Sequence, residues 1–228
     1  MLQTGLPDYW LSQPPLLLTA EECAACDALL TAATAQAAAH TLAYTLPIPK
    51  WQFLCYVAEQ HGLALHGSNN GEINRFEPRQ SSDLAEFGAQ RAVYAAADGI
   101  WPLYFAIVNR AKSPSVVNGC VRIEQADGTL GQPLYWFSIS RQAVARQPYT
   151  PGMVYLLPRT TFVAQPPVMF EGWRVHVAQL ASPEAVTPLA KVAVTPEDFP
   201  FLAQMRTHDD ARLQEYATAM AEGLPWPQ

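Results

Sequence analysis

Charge is scarce in this chain. Of 228 residues only 15% are Asp, Glu, Lys or Arg, against 50% hydrophobic. That is ample for a packed core and points to one domain, or one domain with an appendage. The balance is slightly acidic, with a formal net charge of −6. This argues against nonspecific nucleic-acid binding, which needs cations to neutralise phosphates. No apolar run reaches the roughly twenty residues of a membrane span. The opening MLQTGLPDYW has no basic stretch ahead of an apolar one, so no secretory signal is read there and the expected compartment is cytoplasmic. Cysteine is sparse too: Cys23, Cys26, Cys55 and Cys120. Cys23-Ala-Ala-Cys26 has the spacing of a redox or metal pair. It sits in an alanine-rich helical pattern with no second pair and no His-x-x-x-His downstream, so both are read as small buried side chains and no metal is expected. Gly-x-Gly-x-x-Gly, the P-loop, His-Glu-x-x-His and Gly-x-Ser-x-Gly are all absent. Nothing therefore supports a Rossmann dinucleotide site, a P-loop NTPase, a zinc protease or a serine hydrolase.

What is present falls into helices first and short strands later. Thr19 with Glu22 forms a capping-box pattern before a helix expected over 20–39, rich in the helix-favouring alanine and leucine. Pro49, then Trp51, Leu54, Cys55 and Ala58 at helical spacing, mark a second helix that stops near Gly62. After Arg110 the pattern turns to β. Strands are expected over 116–125, 134–140, 152–157, 161–164, 173–180 and 189–194, with Asp127-Gly128 as a hairpin turn. A last helix is expected over 209–222. Helices followed by runs of strands, with little βαβ alternation, mean an α+β fold. The division expected is a helical region 1–62 packed on a core 63–228, in one compact domain.

The stretch 63–110 organises the rest. A short apolar run ends at His66-Gly67-Ser68 and stops in Asn69-Asn70, a turn composition, so it reads as a strand. A second run, 92–96, carries Tyr94. Asp98 then offers a carboxylate to the free amides of the next turn. The helix expected over 99–110 puts Trp101, Tyr104, Phe105 and Val108 at helical spacing. A histidine, a tyrosine and an aromatic helix face close together are the parts of a pocket for a flat ring.

Leu65-His66-Gly67-Ser68 followed by Ala92-Val93-Tyr94-Ala95-Ala96-Ala97-Asp98 resembles the NAD-binding core of ADP-ribosyltransferases of the diphtheria-toxin and poly(ADP-ribose) polymerase type. The resemblance implies two packed, mostly antiparallel sheets with NAD in the cleft between them. It implies that His66 bonds a ribose hydroxyl of the adenosine half, that the Gly67 backbone holds the nicotinamide amide, that Ser68 is among the cofactor-binding residues, that Tyr94 lines the ring and that Phe105 or Tyr104 stacks on it. Arg79 would meet the pyrophosphate through bidentate hydrogen bonds. Gly99-Ile100-Trp101-Pro102 departs from the family's serine-bearing segment, so no serine remains there for the amide.

Transfer of ADP-ribose passes through an oxocarbenium-like state, which a nearby carboxylate steadies. By resemblance that carboxylate opens a strand. Glu184, ahead of the run 189–194, fits best, and Glu171, ahead of Trp173, is the rival. The expected function is thus an NAD-dependent mono-ADP-ribosyltransferase acting on a protein or nucleic-acid acceptor. The alternative is a module of the same fold that binds NAD, a nucleotide or a partner protein without chemistry. An RNA 2'-phosphotransferase ranks third, since only Arg75 and Arg79 offer cations for a phosphate.

Overall fold

The computed structural model describes residues 7–81, 86–170, 172–222 and 224–227. The chain runs through β1 (Leu11–Ser12), α1 (Ala20–Thr34), β2 (His40–Thr41) and α2 (Lys50–Gln60). Then come β3 (Ala64–Ser68), β4 (Arg79–Gln80), β5 (Arg91–Ala96) and α3 (Trp101–Ile107). The rest is β6 (Val116–Ile123), β7 (Leu134–Ser140), β8 (Gly152–Leu157), β9 (Val163–Ala164), β10 (Val168–Phe170), β11 (Trp173–Val177), β12 (Gln179–Ser182), β13 (Ala190–Val194), β14 (Arg206–His208) and α4 (Leu213–Ala221).

Local chemistry sets the helix boundaries. At α1 the capping box forms as expected: Glu22 N donates to Thr19 Oγ1 at 3.2 Å and Thr19 N to the Glu22 carboxylate at 2.7 Å. The helix stops at Thr34, short of residue 39. Ala39 takes a left-handed φ of 61°, and its N–H donates to Pro188 O at 3.0 Å, so a tertiary contact overrides alanine's propensity there. α3 is also shorter than the expected 99–110. Val108 bridges Tyr149, and Asn109 N donates to Pro148 O at 2.8 Å, both non-helical pairings. Asp98 sits buried ahead of α3. Its Oδ1 accepts from the amides of Ile100 and Trp101 at 2.8 and 2.6 Å, and its Oδ2 from the Tyr135 hydroxyl at 2.6 Å. Burial pushes its pKa up, against the pull of these three donors.

The fold is α+β with two mostly antiparallel sheets, as the pattern of elements predicts. One sheet has the order β1-β7-β6-β11-β10, with β14 beside β7. The other has the order β2-β13-β8-β3-β5-β12-β9, with β4 against β5. The main core brings residues of 1–62, such as Leu30 and Leu54, together with Leu65, Tyr135 and Val154 of both sheets. α3 lies within it: the Tyr104 ring is 5.1 Å from Phe137 of β7, while other α3 residues pack on β3. The run 173–180, expected as one strand, is two strands in different sheets. The change falls at Ala178. Its N–H donates to Cys120 O of β6 at 2.9 Å, and its carbonyl accepts from Ala97 N at 2.8 Å, beside β5.

All four cysteines are free thiols, three of them buried, and burial pushes the Cys26 thiol up to about 11. No group of His, Cys, Asp or Glu among the described residues is placed to hold a metal ion. Among the described residues no helix is long and apolar enough to cross a membrane.

β14 is fastened to β7 by a buried polar network. His208 Nδ1 lies 2.8 Å from Ser138 Oγ and Nε2 2.9 Å from Ser115 Oγ; Ser115 and Ser140 both donate to Asp210. The imidazole is inaccessible to solvent, so this Ser, His and Asp cluster is structural rather than nucleophilic. Burial lowers the His208 pKa, while Asp210 and Asp209 pull it the other way. The unfolded chain takes up a proton at a histidine near pH 6.5, as the folded one does not. The contribution of His208 is therefore complete above about pH 6.5 and lost as pH falls below it. Urea midpoints should drop between pH 8 and 5. The His208→Gln variant should be less stable at pH 8 by about 1–3 kcal/mol, with a shallower drop on acidification.

Candidate ligand pocket between two parting strands

β3 and β5 are neighbours in their sheet, yet they register only at Leu65 and Ala96. Beyond that pair they part. β3 continues against β8, with His66 opposite Tyr155 and Gly67 opposite Val154, while the far end of β5 takes β4 as its partner, Arg79 opposite Ala92. A backbone carbonyl on the parted edge still needs a donor. Tyr94 O finds one in the His66 side chain, whose Nδ1 is 2.7 Å away. The imidazole thus spans the gap that the backbone leaves.

The parted strands enclose a cavity of about 170 Å³. His66 and Gly67 line it from β3, Tyr94 from β5, and Trp101, Pro102 and Phe105 from α3. Gly67 is there because nothing larger fits: a Cβ at this position would overlap the Pro102 carbonyl and the Ala106 amide of α3. The missing side chain lets α3 lie directly beneath the parted strands. Tyr94 is tethered at the rim, its hydroxyl 3.0 Å from the carbonyls of Phe87 and Gln90. The His66 ring is 4.6 Å from Phe76, which closes its other side.

Burial lowers the His66 pKa, opposed by the hydrogen bond to Tyr94 O. The ring is therefore neutral near pH 7. A carbonyl only accepts, so the proton sits on Nδ1 and Nε2 carries a lone pair. His66 can accept one hydrogen bond from a ligand hydroxyl or amide.

Four residues brought forward from the sequence converge here: His66, Gly67, Tyr94 and Phe105. Others do not. Tyr104 is fully buried, and its hydroxyl donates to Ser138 O of β7 at 2.7 Å, so it faces the opposite sheet. Ser68 lies past the cavity, where its Oγ accepts from Asn70 N at 3.1 Å and stabilises the turn. Arg79 is exposed on β4, outside the lining. Glu184 is exposed in the bend after β12, and its N–H donates to Ser182 Oγ at 3.2 Å. It opens no strand; it follows one. Glu171 lies outside the described residues.

The residue that β12 brings to the cavity is Gln179, paired with Ala96. Glu184 stands past the other end of that strand. At about 3.3 Å per residue, Gln179 and Ser182 are already about 10 Å apart. Among the described residues the lining thus holds a carboxamide and no carboxylate. Gln179 was hidden in the sequence because 173–180 reads as one strand, whereas its first part belongs to the other sheet. Among known proteins, no family model, no curated protein and no solved structure matches this chain.

The close fit of α3 under Gly67 gives a direct check. Gly67→Ala should destabilise the chain by about 1–3 kcal/mol, as overpacking does, measured by chemical denaturation. Gly71→Ala is the control: its Cβ would meet only Met153, at an ordinary 3.6 Å, and should cost much less.

Proposed function

We propose that this chain is a binding module for a nucleotide bearing a flat, amide-carrying ring, with NAD the first candidate, and that it binds without carboxylate-assisted transfer. The observation that carries this reading is the composition of the cavity: a neutral imidazole acceptor, a glycine backbone on a parted strand edge, the aromatic side chains Tyr94 of β5 and Trp101 and Phe105 of α3, and Gln179 where a carboxylate would be needed.

Each part has a job in that reading. Phe105 and Tyr94 offer faces for a ring. His66 Nε2 accepts from a sugar hydroxyl. The edge of β3 past Leu65, unpaired with β5, presents backbone groups to an amide, which can both donate and accept. Gln179 can hydrogen-bond a hydroxyl or an amide. Being neutral, it cannot balance the positive charge that develops as a nicotinamide–ribose bond breaks. The transferase reading therefore stands second, since it needs Glu184 or another carboxylate to reach the cavity. A 2'-phosphotransferase stands further back, because among the described residues no cationic side chain lines the cavity.

Thermal unfolding with and without NAD tests the reading. At about a hundred times its dissociation constant, NAD should add roughly 2.7 kcal/mol to stability. Phe105→Ala should weaken binding by up to about tenfold, the loss of one ring contact of about 0.5–1.5 kcal/mol. Nicotinamide release should stay at the rate of NAD in buffer. Release well above that rate would restore the transferase. No stabilisation by NAD, ADP-ribose or nicotinamide would remove the nucleotide reading altogether.

A further inference from the structure

The chain has 14 Lys and Arg against 20 Asp and Glu. With acids in excess, many cations find one: Lys50, Arg75, Arg122, Arg174, Arg206 and Arg212 each have a carboxylate oxygen within 3.5 Å. Arg110, Lys112, Arg141 and Arg146 have no carboxylate within ion-pairing distance among the described residues, and the fold gathers these four in one place. Two segments carry them. One, 109–114, follows α3; the other is the 3₁₀ turn Arg141–Arg146 after β7. Asn109 N donates to Pro148 O at 2.8 Å, Ser140 N to Ser113 Oγ at 3.1 Å and Lys112 Nζ to Gln147 O at 3.0 Å, so the segments lie side by side.

The cations are oriented without being neutralised. Arg110 Nη2 donates to Pro114 O at 2.8 Å, as Lys112 does to Gln147 O, and a carbonyl carries no charge to cancel theirs. Gln147 holds a left-handed φ of 51°, which costs a non-glycine residue energy, and its carbonyl is the one that orients Lys112. Arg110, Arg141 and Arg146 are exposed and Lys112 is half-buried. Asp210 borders the patch, with its carboxylate turned to Ser115 and Ser140. Like charges held together repel, and an anion laid across them relieves the repulsion. We propose that this patch is a docking surface for a short acidic segment of a partner protein. Val144, 54% exposed, stands between Arg141 and Arg146 and offers an aliphatic side chain of that segment an apolar contact. By backbone rise the ends of the 3₁₀ turn are about 10 Å apart, the reach of about three residues of extended chain. Carboxylates at that interval meet both arginines. Nucleic acid fits less well. Single strands stack on exposed aromatic rings, and duplexes take an α-helix or β-ribbon in the groove; the two segments present neither. The net charge of −6 also repels a long polyanion, whose charge continues past the patch.

The test follows a short fluorescent glutamate-rich peptide with a central leucine by anisotropy on the full chain. Its glutamine counterpart and a thymine oligonucleotide of equal charge are the comparisons. The acidic peptide should bind saturably and more tightly than either, and more weakly as salt is raised. Arg141 and Arg146 make no side-chain hydrogen bond among the described residues, so the double variant Arg141→Glu/Arg146→Glu should fold as the parent does. It should lower the affinity about tenfold, by loss of surface ion pairs and gain of repulsion. Arg159→Glu makes the same kind of change on an exposed residue past the far end of β8. That is about 16 Å along the strand from Gly152, beyond the screening length of about 8 Å in physiological salt, so the affinity should stay within about twofold. No saturable binding, equal binding of the glutamine peptide, or an Arg159→Glu loss as large as that of the double variant would overturn the proposal. Tighter binding of the oligonucleotide would overturn it in favour of nucleic acid. None of the four cations lines the first pocket, so failure here leaves the nucleotide reading untouched.

Discussion

One hydrogen bond, from the His66 imidazole to the Tyr94 carbonyl, marks the place where the sheet stops being continuous. Two antiparallel neighbours ordinarily satisfy each other's backbone groups along their whole length. Here the ladder between β3 and β5 is interrupted after Leu65 and Ala96, and a side chain supplies what the backbone no longer can. The parted edge creates concavity within a sheet, where a flat surface would otherwise be. It also fixes the protonation of His66: a proton on Nδ1, a lone pair on Nε2.

The neighbouring elements make the parting sustainable. α3 fills the space beneath it, brought close by the absent side chain of Gly67. α3 is anchored in turn: Asp98 takes the first amides of the helix and the Tyr135 hydroxyl, and Tyr104 bonds Ser138 on the far sheet. The cavity floor is thus tied to both sheets, and Phe105 is held against it on a helix whose other face is locked in the core. β5 stays in place because β4 and β12 pair along it.

Much of this was legible from residue order. The capping box at Thr19, the strands around His66 and Tyr94, the helix-capping role of Asp98 and the α+β class follow from local chemistry and periodicity. The roll of α3 does not. Tyr104 and Phe105 are adjacent, about 100° apart on the helix, and only the packing of both sheets decides that the first faces β7 and the second the cavity. The crossing at Ala178 was hidden for a related reason. Alternation along 173–180 reports which side of a sheet a residue faces, but not which sheet; the partners that split the run, Cys120 and Ala97, lie far away in sequence. Glu184 was read from its place ahead of 189–194, whereas Gln179 reaches the cavity only because the chain changes sheets at Ala178.

The imidazole bridge can be read directly by two-bond ¹H–¹⁵N correlation of the histidine rings near pH 7. If β3 and β5 part as described, His66 shows a protonated Nδ1 and an unprotonated Nε2. A proton on Nε2 alone would mean that the side chain does not donate to Tyr94, and that the cavity is not built in this way.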